Sequence, residues 1–203
     1  MKISDIKPQV KNPDRSSIYL DGKYSFSLNN EQLAKAKLEI GDEISPEELK
    51  SWQAESELGK IEAKVLNYLS YRPRSIWEIE EYFKREKISK GMGERLLERL
   101  KGWGYVDDRK FAESWVQNRR AMKSVSRRRL QQELRAKHID SEIIEEVLAE
   151  DETSDTEALV QLIENKRRQS RYADDQKLMA YLARQGFGYG DIKAAMSETE
   201  NQD

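Results

Sequence analysis

The sequence predicts a mostly α chain, with three tandem three-helix modules in an elongated curved array and, before them, a small N-terminal subdomain containing a β-hairpin. Three observations carry this. Charged residues make up 36% of the 203 positions and apolar residues only 37%, a balance that suits thin helical layers with much surface. The apolar residues recur at helical intervals over most of the length, which a disordered chain of similar polarity does not manage. The pattern also repeats: Leu134, Ile139, Ile144 and Leu148 are matched by Leu182, Phe187, Ile192 and Met196, each 48 residues later. Self-similarity at such a period is the mark of a repeat architecture.

Residues 1–52 read as the N-terminal subdomain. Ile18 to Leu20 and Tyr24 to Leu28 are short β-branched and aromatic runs flanking Asp21-Gly22, the pair that a type I′ hairpin turn needs for its two positive φ angles. Residues 2–10 alternate well enough to supply a third strand, stopped by Asn12-Pro13-Asp14. A short helix is expected over 30–37. Ser45-Pro46-Glu47-Glu48 combines a capping hydroxyl, a proline at the first helical position and a glutamate that closes a capping box. The helix it opens is expected to end at Trp52, with the polar stretch 53–56 as a joint to the array.

The modules are expected at 57–106, 107–150 and 153–198, with 199–203 as a disordered tail. The first copy, Phe83, Ile88, Leu96 and Leu100, fits the template once three residues are inserted within 89–93, a stretch whose Gly91 and Gly93 suggest a loop. First helices fall near 57–69, 108–122 and 154–168, second helices near 75–86, 126–136 and 174–184, and third helices near 93–101, 141–149 and 190–198. A unit of this size buries only a modest core, so neighbouring copies gain by stacking, and a curved stack offers a concave face for a large partner.

Composition narrows the chemistry. The chain has no cysteine, which removes disulfides, thiolate nucleophiles and cysteine-based zinc sites and fits a reducing compartment, so a cytoplasmic location is expected. No apolar run is long enough to span a bilayer. His138 is the only histidine and stands in the slot of Gly186 one repeat later, so it reads as a bend residue with no partner for metal binding or for activating a serine. Gly186 to Gly190 lacks the lysine and Ser/Thr of a phosphate loop and reads as a turn holding Phe187. The pairs Asp107-Asp108 and Asp174-Asp175 sit where helices begin and read as caps, not as magnesium ligands. Trp52, Trp77, Trp103 and Trp115 read as packing residues, with room for one in an exposed role. No constellation supports an enzyme, and no cofactor is expected.

Charge supplies the binding candidate. The formal net charge is −2, yet residues 101–137 hold eleven Lys/Arg against four Asp/Glu. Arg119, Arg120, Lys123, Arg127, Arg128 and Arg129 straddle the first turn of the second module, so their side chains are expected to converge, and arginine forks bind phosphates and carboxylates bidentately. Arg135 extends this cluster. Lys166, Arg167, Arg168 and Arg171 form another after an acidic stretch, and Arg72 and Arg74 flank Pro73 ahead of the second helix of the first module. The competing reading is a solvated face balanced by the acidic residues of the same array.

These residues resemble the RecX family of bacterial recombination regulators. Arg72-Pro73-Arg74-Ser75 followed by Ile79 is similar to that family's arginine-serine approach to its first second-helix. Gly104-Tyr105-Val106-Asp107-Asp108, leading to Phe111-Ala112, closely resembles the opening of its second module. Leu182-Ala183-Arg184-Gln185-Gly186-Phe187, with Ile192 beyond, is like its closing pattern, and Ile18 to Phe26 resembles the hairpin extension of longer members. His138 and Pro73 depart from the family's usual residues. The resemblance implies a negative regulator that lodges on the RecA filament on single-stranded DNA and restrains ATP hydrolysis, strand exchange and RecA-promoted cleavage, in the setting of DNA repair and the SOS response. A monomer is expected, with weak affinity for single- or double-stranded DNA. The alternative is a winged-helix-like DNA-binding regulator, since residues 75–108 also read as helix, turn, helix and then Gly104 to Val106 as the approach to a wing.

Overall fold

Asp21 and Gly22 take φ values of 48° and 79°, the two left-handed positions of a tight hairpin turn. They join β2 (Arg15–Leu20) to β3 (Lys23–Asn29), and β1 (Ile3–Pro8) pairs with β2 on the other side, giving an antiparallel sheet in the order β1-β2-β3. The computed structural model describes residues 1–200, except the side chains of Lys123 and Glu200. Within these it divides into two compact units, Met1–Arg72 with Ser89–Glu98, and Pro73–Ile88 with residues 99–200.

In the first unit Ile3, Ile18, Leu20, Phe26 and Leu28 line one face of the sheet and form a core with Ile44, against which Leu33, Leu49 and Trp52 pack. α1 (Asn30–Ala36) starts at a capping box made by Asn29 and Gln32, and α2 (Pro46–Ser70) at the one made by Ser45 and Glu48. The joint expected at 53–56 is not there: α2 runs unbroken for 25 residues. The polar residues that suggest a linker dock on the rest of the unit instead. Ser56 is buried and its hydroxyl accepts from the Ser27 N–H at 3.3 Å. The buried Arg15 guanidinium donates to the Ser27 carbonyl at 2.7 Å and the Ser56 carbonyl at 3.4 Å, while the Gln32 amide donates to Glu55 O at 2.7 Å. Polarity along a helix face therefore marks hydrogen bonding to a neighbour as readily as exposure.

The second unit contains α3 (Ile76–Arg85), and α4 (Lys90–Gly102) straddles the division between the units. It continues with α5 (Asp108–Lys123), α6 (Arg127–Arg135), α7 (Ser141–Glu150), α8 (Asp155–Arg167), a 3₁₀ turn at Ser170–Tyr172, α9 (Asp175–Arg184) and α10 (Tyr189–Glu200). Of the twelve repeating apolar positions, all but Ile88 are buried. Phe111, Val116, Leu130, Leu134, Ile144 and Leu148 belong to one core, and Leu159, Ile163, Leu178, Leu182, Ile192 and Met196 to another. The stretch expected as an inserted loop at 89–93 is instead the start of α4, which has 13 residues against the 10 of α7. Three residues are close to one helical turn, so the insertion lengthens the helix without rotating its buried face far from register. α10 likewise continues two residues into the stretch expected as a tail, with the Thr199 hydroxyl donating to Ala195 O at 3.1 Å; residues 201–203 lie outside the described residues.

The bends after the second helices repeat in φ as well as in sequence. Lys87, His138 and Gly186 occupy one template position and have φ of 56°, 56° and 96°. Each bend inside the second unit also meets the module before it. Ser75 and Ser126, the fully buried N-caps of α3 and α6, accept from the third N–H of their own helices. The Ser75 hydroxyl then donates to Lys137 O and the Ser126 N–H to Gln185 O, both at 3.1 Å and one repeat apart. The first N–H of each of these helices is taken by the following module: Ile76 N–H donates to the Asp108 carboxylate at 2.8 Å and Arg127 N–H to that of Asp155 at 2.7 Å. Asp174, at the same place in the third module, is an exposed cap bonded to its own Lys177 N–H at 3.2 Å.

Two substitutions test this junction. A Cβ at Gly186 would run into the Ser126 hydroxyl and Arg129, in a backbone conformation that L residues avoid. Gly186→Ala should therefore cost about 2–3 kcal/mol in chemical denaturation. At Asp108, burial raises the carboxyl pKa, opposed by the Ile76 N–H that it accepts. Asp108→Asn keeps an acceptor without the buried charge and should stay within about 1 kcal/mol of the parent, whereas Asp108→Ala strands the N–H and should lose about 1–3 kcal/mol. Equal loss from both variants would contradict that assignment.

Candidate partner-binding surface

Thirteen cationic residues are the sequence-level candidates, and the structure divides them by what their head groups already hold. Arg120 is an internal clamp. Only 9% of its side chain is exposed, and it donates to Asp151 at 2.8 Å, to Asp155 at 3.3 Å, to Val125 O at 2.6 Å and to Thr153 O at 3.2 Å. It thereby ties α5 to the start of the third module. Arg127 is exposed, but its Nη1 donates to Leu148 O at 2.5 Å and so closes the C-terminal end of α7.

Glu133 gathers a second group. It accepts from Arg119 at 2.7 Å, from the Trp115 indole N–H at 2.9 Å and from Arg129 at 3.2 Å, while the Arg119 guanidinium lies 4.9 Å from the centre of the Trp115 ring. A carboxylate that is largely buried needs this company. Arg167 serves the third module in the same way, pairing with Asp175 and donating to Ala173 O at 3.3 Å. Lys166 lies 4.8 Å from the Tyr181 ring and 5.5 Å from the Tyr172 ring.

The expected convergence of Arg119, Arg120, Arg127, Arg128 and Arg129 on one outer patch is thus not what the fold makes. Most of these side chains point into carboxylates and carbonyls of their own or the next module. The physical reason is that helix ends and buried carboxylates inside a thin repeat are nearer to the arginines than any partner can be. Among the described residues, Arg128, Arg135 and Arg168 are exposed with no hydrogen-bond or ion-pair partner, and Arg171 only rests 5.8 Å from the Tyr172 ring. Arg128 and Arg135 are two turns apart on one face of α6. Arg72 is exposed and Arg74 half-buried, one in each compact unit. The side chain of Lys123 lies outside the described residues.

A further charged node escaped the sequence reading. Arg109 of α5 donates to Glu113 at 3.0 Å and to Glu150 at 2.6 Å and also pairs with Glu146; Glu150, and then Glu146, raise its pKa. The four-residue spacing of Arg109 and Glu113 was a usable signal; the two partners from α7 were not visible without the fold. Among the described residues no group of three or more His, Asp or Glu is placed to hold a metal, and no helix is long and apolar enough to cross a membrane.

These features define a class of tandem three-helix repeat protein whose modules are joined by shared helix caps. Family models match it in three places: the RecX N-terminal domain over residues 1–45, the second three-helix domain over 107–148 and the third three-helix domain over 153–196. The chain is 34% identical to the Regulatory protein RecX of Bacillus licheniformis, over 99% of its own length and 79% of that protein, and 32% identical to that of Bacillus subtilis, over 98% and 77%. Its fold superposes on a crystal structure of regulatory protein RecX with a TM-score of 0.72 at 27% identity, covering 97% of this chain and 98% of that one. The chain belongs to the RecX family.

The division of arginines yields a stability test. Arg120→Ala leaves Asp151 buried without its cation and should lower unfolding free energy by about 3 kcal/mol. Arg128→Ala should change it by no more than about 0.5 kcal/mol, as an exposed residue without a partner. Urea melts of the two variants give the comparison, and a similar cost at both positions would refute the division.

Proposed function

We propose that this chain is a negative regulator of the RecA recombinase, acting in the cytoplasm by binding the RecA filament on single-stranded DNA and lowering its ATPase, strand-exchange and coprotease activities. Membership of a family of regulatory proteins is the observation that carries the reading. The modular build supports it: units of about 48 residues, each capped by the next, present several small surfaces to a partner that itself repeats, and linked weak contacts add up to avidity. Arg128 and Arg135 on α6 and Arg168 and Arg171 after α8 are exposed cations that can face such a partner.

The winged-helix alternative is less well supported. Gly104 to Val106 form a turn leading into α5, and the only sheet among the described residues is the N-terminal one. The helix that this reading places in the groove, α4, exposes Glu94 and Glu98, which repel a phosphate backbone.

The direct experiment adds the purified chain to RecA, single-stranded DNA and ATP. ATPase rate should fall as the chain approaches stoichiometric amounts, and an unchanged rate at excess would end the proposal. For the surface, Arg128→Ala with Arg135→Ala should raise the concentration needed for half-inhibition roughly three- to tenfold, as expected for losing exposed charged contacts, with circular dichroism unchanged. Full potency in that double variant would move the contact to another face.

A further inference from the structure

The turn between α4 and α5 presents large aromatic side chains to solvent, and the repeat itself shows that the fold does not require them. Gly104, with φ of 73°, reverses the chain after α4. Gly104 N–H donates to Lys101 O at 2.9 Å and Tyr105 N–H to Leu100 O at 3.0 Å, so the backbone of the turn is held by its own hydrogen bonds. Val106 is buried as its anchor, but Trp103 and Tyr105 on either side of the glycine remain 45% and 59% exposed. The corresponding turn after α7, residues 151–154, makes the same connection with Asp151, Glu152, Thr153 and Ser154 and has no aromatic at all. Packing therefore explains Val106 and leaves Trp103 and Tyr105 without a structural task.

Their surroundings say what they can hold. The two rings meet edge to face with centroids 6.2 Å apart, and the Arg99 guanidinium sits 5.0 Å from the Trp103 ring. Lys101 and Lys110 are exposed beside the turn. The two carboxylates that follow the turn are turned to other work: Asp107 accepts from the Arg109 and Lys110 N–H groups at 2.9 and 3.1 Å, and Asp108 from Ile76 N–H. Exposed rings beside cations, with Asp107 and Asp108 engaged by backbone N–H groups, match a surface on which an unpaired base stacks while its phosphates meet Lys and Arg. A buried apolar partner would find too much charge at the rim; a duplex would offer no open base.

We propose that the Trp103–Tyr105 turn, flanked by Arg99, Lys101 and Lys110, is a contact site for an unpaired nucleobase of a single-stranded polynucleotide. The inference stands apart from RecA inhibition, because it concerns the chain alone. The contact reads a ring and a phosphate, so the sugar is not distinguished.

The test titrates the full chain into fluorescently labelled oligothymidylate, oligouridylate and an abasic deoxyribose-phosphate strand of equal length, following anisotropy without recombinase. Binding to either base-bearing strand should be several-fold tighter than to the abasic strand, because stacking contributes about 1–3 kcal/mol per base. Tyr105→Ala with Trp103→Ala should abolish that difference, and Tyr105→Phe with Trp103→Phe should restore most of it. Equal affinity for abasic and base-bearing strands, binding to neither base-bearing strand, or a preference that survives the double alanine variant would each overturn the proposal. The abasic comparison uses the unaltered protein, so it holds even if the alanine variant folds poorly. Because RecA is absent from every arm, failure here leaves the inhibitory reading to its own assay.

Discussion

Every helix begins with backbone N–H groups that its own turns cannot satisfy, and the second unit of this protein is organised by where those groups find acceptors. At α3 and α6 one donor goes to a buried serine and another to an aspartate that belongs to the following module. The serine also bonds to a backbone group at the end of the second helix of that module. Because Ser75 and Ser126 are fully buried, water cannot replace them as acceptors, and the next module is part of the solution. The positive-φ residues that end the second helices, the close approach at Gly186 and the clamp made by Arg120 all follow from bringing those ends together.

That constraint also governs the charge. An arginine within reach of a helix C-terminus or a buried carboxylate satisfies groups that would otherwise be costly to bury. Arg119, Arg120, Arg127 and Arg167 are spent this way, and what remains exposed is a smaller and more spread set on α6 and after α8. The binding potential of a basic stretch therefore depends less on its count of arginines than on which of them the repeat consumes.

The hairpin, the cap at Ser45 and the repeat register were legible because each depends on residues near in sequence: an Asp-Gly pair, a serine three positions before a glutamate, apolar positions at a fixed period. The break expected at 53–56 was misread because Ser56 and Glu55 look like linker residues until the sheet and α1 are present to bond them. The insertion was misread as a loop for a related reason. Two glycines lower helix propensity by about 1 kcal/mol each, and register with the buried face outweighs that.

The sequence by itself determined the fold class, the period and the residues that face each core, since backbone geometry converts spacing directly into sidedness. It also identified the basic stretch as the part of the chain to search. Only the tertiary structure decided which cations are committed, that Asp108 and Asp155 cap helices of a different module, and that Trp103 and Tyr105 stand in solvent while Trp115 and Trp77 are engaged. Those outcomes rest on pairs far apart in sequence, such as Arg120 with Asp151, 31 residues away, or Ser75 with Lys137, 62 residues away. Helical spacing does not encode which side chain arrives first at a given carboxylate; distance after folding does.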